Sequence, residues 1–128
     1  MKKSNFNASV EIKNDIHIIY VKGYLDAHTA PFLEKTINEI IKSGNFKIIV
    51  NFKDLNYISS AGLGVFMGFI EECRDNKGDI KMCELQKNVY TIFDLLGFPL
   101  LYDIDKEMTA SINKFENPDS NINSNNNL

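Results

Sequence analysis

Apolar and polar residues alternate over Ala8-Ser9-Val10-Glu11-Ile12-Lys13 and again, more richly, over Ile16-His17-Ile18-Ile19-Tyr20-Val21-Lys22, with Asn14-Asp15 between them. A period of two reads as strand, and a two-residue Asn-Asp connection reads as the turn of a hairpin. The period then lengthens. Leu33, Ile37, Ile40 and Ile41 form one apolar stripe through Phe32 to Ser43, which predicts a helix. Thr29 is placed to cap it, Pro31 sits in its first turn where a missing N–H does no harm, and Gly44 stops it.

The run Lys47 to Phe52 is apolar and β-branched enough for a central strand. Ala61 to Asp75 reads as a second helix, closed by Asn76-Lys77-Gly78. Asp79 to Glu84 alternates as a fourth strand. Lys87 to Leu96 reads as a third helix, with Val89, Ile92, Phe93 and Leu96 inward and Gly97 as its stop. Leu100 to Ile104 reads as a short last strand, and Asp105 to Phe115 as a final helix. The order β-β-α-β-α-β-α-β-α predicts a single α/β domain over residues 6–115. It is a mixed sheet of about five strands with about four helices packed against it, joined by right-handed crossovers where strands run parallel. Residues 116–128 are mostly Asn and Ser and hold too little apolar surface to offset the entropy of ordering, so a disordered tail is expected there.

Between the third strand and the second helix lies Asn56-Tyr57-Ile58-Ser59-Ser60-Ala61-Gly62-Leu63-Gly64. Two hydroxyls fall in a strand-to-helix turn. With Ser60 as the cap, its oxygen accepts from the free N–H of Gly62 or Leu63. The same helix start tolerates a phosphate, because it offers unpaired donors and a partial positive charge. A cap alone accounts for one serine, but Gly62, Gly64 and Gly68 in the following run each cost about 1 kcal/mol relative to alanine in a helix interior. At about 100° per residue, Leu63, Phe66, Met67, Ile70 and Cys73 fall on one side, the expected core face. Ala61, Gly64, Val65 and Gly68 fall on the other, ahead of Glu72 and Asp75. That small, uncharged face suits either close approach by another protein or a covering layer of this same chain.

Composition narrows the function classes. The 128 residues suffice for one domain with a core, and 44% hydrophobic with 24% charged residues is ordinary for a globular protein. A net charge of −3 gives no electrostatic footprint for nucleic acid. No apolar run approaches the ~20 residues of a membrane span, and no apolar segment follows Lys2-Lys3 to make a signal peptide, so a cytoplasmic address is expected. Cys73 and Cys83 match no metal-ligand spacing and are expected as buried free thiols, with no metal and no cofactor.

The case for an enzyme is weak. Ser60 lacks the Gly-x-Ser-x-Gly frame of a nucleophile elbow. The two histidines, His17 in a strand and His28 in a polar loop near Asp26, have no spacing that brings a base to the serine. Gly62-Leu63-Gly64 lacks the length and the lysine of a phosphate-binding loop.

Three stretches carry a resemblance: Gly23-Tyr24-Leu25-Asp26-Ala27-His28-Thr29-Ala30, Tyr57-Ile58-Ser59-Ser60-Ala61-Gly62-Leu63-Gly64, and Val89-Tyr90-Thr91-Ile92-Phe93-Asp94-Leu95-Leu96-Gly97. In this order and spacing they resemble the STAS domain of bacterial anti-sigma factor antagonists, over roughly residues 6–115. The resemblance implies a protein that binds an anti-sigma factor that is also a serine kinase, and so frees a sigma factor. It further implies that phosphorylation of a serine at the start of the second helix breaks the complex, and that a metal-dependent serine phosphatase restores it. Carried onto this sequence, the phosphoacceptor is Ser60. The family's best-known members have Asp just before that serine and Ser or Thr just after; here those positions are Ser59 and Ala61, which makes Ser59 the alternative acceptor. Asp26 matches the family's acidic residue beside the serine. The expected contact surface is Asp26, Ser59, Ser60, Ala61, Gly62, Gly64, Val65 and Gly68, on a monomer that is a substrate of the kinase and phosphatase and not itself an enzyme. The alternative is a STAS module that serves as a scaffold, or as a subunit of a signalling or transport complex, without cycling phosphate.

Overall fold

The structure, a computed structural model, describes residues 5–118. Strands β1 (Phe6–Lys13) and β2 (Ile16–Leu25) form the expected antiparallel hairpin around Asn14, whose φ is +57°. Helix α1 (Ala30–Lys42), strand β3 (Lys47–Ile58), helices α2 (Ser60–Met67) and α3 (Ile70–Asp75), and strand β4 (Asp79–Cys83) follow. Helix α4 (Lys87–Leu95), a 3-10 turn at Phe98–Leu100, strand β5 (Ile104–Asp105) and helix α5 (Met108–Glu116) complete the order. The sheet runs β1-β2-β3-β4-β5, antiparallel at the first pairing and parallel at the other three. This is the mixed five-stranded α/β architecture that the hydrophobic pattern predicts.

The alternation of β2 and β3 sends side chains to both faces. Ile19 and Val21 of β2, with Ile48, Val50 and Phe52 of β3, enter the large core under α1, α2, α3 and α4. Ile16, Ile18 and Ile49 face the other way, with Cys83, onto Met108, Ile112 and Phe115 of α5. Phe52 binds the layers together: its ring lies edge-on to Phe66 of α2 at 5.9 Å and to Phe93 of α4 at 5.3 Å. Cys73 and Cys83 are buried free thiols, as expected.

Four local expectations are corrected. The run Ala61 to Asp75 is two helices, because α2 ends in tightened turns, Gly68 N–H to the Val65 carbonyl and Phe69 N–H to the Phe66 carbonyl, and α3 restarts from Phe69. The expected strand Leu100–Ile104 is mostly a turn. Pro99 lies within the 3-10 segment that Gly97 opens, Phe98 stacks on Tyr102 at 4.9 Å, and only Ile104–Asp105 reaches β4. Thr29 does not cap α1 with its side chain. The helix has no side-chain cap; Asp26 Oδ1 instead holds the turn before it, accepting from the N–H of His28 at 2.9 Å and of Thr29 at 3.2 Å, while Thr29 Oγ1 accepts from the N–H of Asp26. Finally, α5 runs through Glu116, one residue into the expected tail; residues 119–128 lie outside those described.

Strand β3 is twice the length read from its apolar run, and the extra half matters most. Beyond Asn51 it leaves β4 and continues beside β2 alone, through irregularities between Tyr20 and Lys22 and between Gly23 and Tyr24. Gly23 sits at φ +95°, and a Cβ there would lie 1.5 Å from the Asn5 carbonyl oxygen, so only glycine fits this bulge. The extension delivers the chain to the serine turn at the end of β2.

Candidate functional site at the start of helix α2

The last pairing of β2 with β3 is Leu25 with Ile58, and Ser59 N–H then donates to the Leu25 carbonyl at 2.9 Å. That bond fixes where β3 stops and α2 begins. Ser59, not Ser60, is the N-cap: its backbone is extended and its Oγ accepts from Gly62 N–H at 3.3 Å. The Ser59 carbonyl accepts the first intrahelical bond, from Leu63 N–H at 3.0 Å. Ser60 is therefore the first residue of the helix, and its side chain is exposed. The cap uses the Gly62 donor, which leaves the N–H groups of Ser60 and Ala61 at the positive end of the helix.

Asp26 follows Leu25 and so lies directly beside this turn. Its Oδ1 is committed to the turn before α1, while the Thr29 hydroxyl donates to the Tyr24 carbonyl at 2.8 Å. The carboxylate thus has a structural role that its match to the family's acidic residue did not reveal. His28 approaches it through the main chain only, by its N–H to Oδ1.

The outward face of α2 differs from the wheel at Val65 and Met67, and from the expected contact surface at Gly62 as well. Gly62 and Val65 are buried, and Met67 is exposed by 59%. A Cβ on Gly62 would meet Leu25 Cγ and the Leu25 carbonyl oxygen at 2.8 Å, whereas one on Gly64 would meet nothing within 4 Å. The face open to solvent is Ser60, Ala61, Gly64, Met67 and Gly68; among the described residues no segment of the chain roofs Ser60, Ala61 or Gly64. Gly62 and Val65, expected on this face, instead hold the helix against the sheet.

Two contributors escaped the sequence reading. Tyr24 and Tyr57 are register partners on β2 and β3, exposed by 46% and 47%, with ring centroids 5.9 Å apart. They lie immediately before the Leu25–Ile58 pair and extend the exposed surface from the serine turn onto the sheet. No periodic signal marks Tyr57, because the register shift between the Gly23–Leu55 and Tyr24–Tyr57 pairs breaks the alternation there.

Among the described residues no group of His, Cys, Asp and Glu is arranged to hold a metal, and no helix is long and apolar enough to cross a membrane.

Comparison with known proteins places this geometry. The anti-sigma-B factor antagonist of Bacillus subtilis is 28% identical over 109 residues, covering 83% of this chain and 98% of its own. A crystal structure of a Thermotoga maritima protein described as a candidate anti-sigma factor antagonist superposes with a TM-score of 0.79 at 18% identity, over 84% of this chain and 92% of that one. The anti-sigma factor antagonist SpoIIAA in its unphosphorylated form superposes with a TM-score of 0.75 at 22% identity, over 86% of this chain and 96% of its own. Residues 7–110 match the STAS domain. With that match spanning most of the length, and with the sheet order and serine turn described above, the chain belongs to the STAS domain family.

Proposed function

We infer that this protein is an anti-sigma factor antagonist. It binds an anti-sigma factor that is also a serine kinase, through the open face of α2, and is switched off by phosphorylation of Ser60. The observation that carries the reading is the division of labour between adjacent serines. Ser59 Oγ is engaged in the cap, whereas Ser60 projects from the first turn with its hydroxyl exposed. The relatives' description as anti-sigma factor antagonists supports the same reading.

The chemistry of the switch follows from position. A phosphate on Ser60 adds about −1.5 to −2 charges at a helix N-terminus, where the dipole and the remaining N–H groups favour an anion, so the fold survives. The docking surface does not tolerate it equally. Ala61, Gly64 and Gly68 carry little or no side chain, so a partner's surface comes close to the helix backbone, and a dianion at the rim of that contact is desolvated or placed against the partner's acidic groups. Each 1.4 kcal/mol of that penalty is about tenfold in affinity. Asp26, beside the turn, adds a fixed negative charge. A serine phosphatase completes the cycle, in the cytoplasm.

Incubation with a kinase-type anti-sigma factor and ATP tests the site. The wild-type chain is expected to gain one phosphate, mapped to Ser60 by fragmentation mass spectrometry, and Ser60→Ala none. Phosphate retained on Ser60→Ala and lost on Ser59→Ala overturns the assignment. A chain that takes no phosphate yet binds the same partner fits the non-cycling scaffold instead.

A further inference from the structure

Strand β1 is an edge whose outward bonds are all uncommitted to the sheet. Tyr24 N–H donates to the Asn5 carbonyl, and the two-residue turn closes on Lys13 and Ile16. Both mark the odd-numbered residues of β1 as those bonded to β2, because bonded and unbonded pairs alternate in an antiparallel ladder. The N–H and C=O groups of Phe6, Ala8, Val10 and Ile12 therefore point away from the sheet. Natural edges are guarded by proline, a bulge or a charge. None of these four residues is charged or proline, and the β1–β2 register runs without a shift. The charges on the strand, Glu11 and Lys13, sit on the opposite face, where Glu11 accepts from Tyr20 Oη at 2.6 Å.

The same four residues form an unmatched apolar surface with two distinct halves. Phe6 and Ala8 pack beside α1, and with Phe32, exposed by 58%, they form the apolar floor of a groove of about 340 Å3 whose α1 wall also carries Lys35, Thr36 and Glu39. Val10 and Ile12 extend beyond α1, exposed by 43% and 63%. One half is a groove and the other a pair of knobs, on one face of one strand.

We propose that a second copy of this chain pairs antiparallel with β1, with Ser9 opposite Ser9, so that Val10 and Ile12 of each copy seat beside Ala8 and Phe6 of the other. In this register every outward N–H and C=O of Phe6, Ala8, Val10 and Ile12 meets a partner. Shifting the centre from Ser9 to Val10 leaves Phe6 unpaired. The contact is isologous, as a two-fold axis requires, and on the opposite face Glu11 meets Asn7 and Lys13 meets Asn5, with no like charges opposed. A single strand pairing is a small interface, so the dimer is weak and concentration-dependent. It departs from the monomer expected of the sequence and is independent of the Ser60 switch, because no residue of the serine turn takes part.

Sedimentation of the full-length protein over a concentration series tests this. The wild-type mass is expected to rise from 14.6 kDa toward twice that value, while Val10→Lys and Ile12→Lys, with unchanged circular dichroism, stay at the lower value throughout. Ser9→Cys provides a register test that does not depend on those variants. Facing residues of an unbonded pair have Cα atoms about 4.5 Å apart, within disulfide range, so mild oxidation is expected to cross-link Ser9→Cys and not Asn7→Cys or Glu11→Cys. A wild type that stays at 14.6 kDa at every concentration, an Ile12→Lys variant that dimerises as readily, or cross-linking of Asn7→Cys as fast as Ser9→Cys overturns the proposal. So does a chain ending at residue 118 that dimerises when the full chain does not, which would assign the edge to residues 119–128.

Discussion

Gly62 lies so close to Leu25 that a Cβ would sit 2.8 Å from both the Leu25 side chain and its carbonyl oxygen. That carbonyl also receives the Ser59 N–H, so helix α2 is seated on the end of β2 at its first turn. Gly62→Ala is expected to push the helix off that seat and cost about 1–3 kcal/mol, the usual range for overpacking. Gly64→Ala meets open space and is expected to raise stability by up to about 1 kcal/mol through helix propensity, while weakening partner binding by interrupting the flat face. Urea unfolding of the two variants beside wild type checks both signs.

The serines separate in the same way. Ser59→Ala removes the cap on Gly62 N–H and is expected to cost about 0.5–2 kcal/mol. Ser60→Ala removes an exposed hydroxyl and is expected to change stability by less than about 0.5 kcal/mol. Equal losses for the two, measured by chemical denaturation, would contradict the assignment of Ser59 as the cap.

Acid stability has an identifiable source in Asp103. Burial pushes its carboxyl up, but Lys81 at 2.8 Å, with Lys114 and Arg74 nearby, outweighs that and holds it below its ordinary 3.8. A carboxyl whose folded value is depressed stabilises the fold above the ordinary value, and loses that contribution as pH falls through the lowered one. The urea midpoint is therefore expected to drop below about pH 4. Asp103→Asn is expected to lower the midpoint modestly at neutral pH, since the side chain is half exposed, and to make the acid drop shallower.

The thiols are inert in the fold. Burial pushes Cys73 up to about 11 and Cys83 up to about 12, so neither is a thiolate near neutral pH. A colorimetric thiol reagent at about pH 8 is expected to find neither cysteine in the native protein and both in concentrated urea. Rapid native reaction at Cys73 would show that α3 opens readily from the core.

Strand β2 and the first half of β3 were legible because their burial is visible in composition: the alternation of one and the apolar run of the other name their faces directly, whereas the two-residue β5 buries too little to leave such a pattern. The orientation of α2 was not. Its contact with the sheet is made by Gly62, which carries no side chain and so adds nothing to an apolar wheel, while exposed Met67 adds a great deal. The wheel turned toward Met67 and away from Val65. The break at Gly68-Phe69 escaped for a related reason, since Cys73 stays on the core side whether or not the helix pauses. The second half of β3 was hidden because the bulges opposite Tyr20 and Gly23 disturb its alternation. The serine turn itself was legible as a turn, but which serine caps depends on the Leu25–Ser59 bond, a tertiary contact that no local pattern reports.

The switch at Ser60 is tested most directly by affinity for a kinase-type anti-sigma factor, measured by calorimetry with wild type, Ser60→Ala and Ser60→Asp, each shown to be folded. Wild type and Ser60→Ala are expected to bind alike, and Ser60→Asp at least about 100-fold more weakly, a loss of roughly 2.7 kcal/mol. Binding of folded Ser60→Asp as tight as wild type would contradict the account.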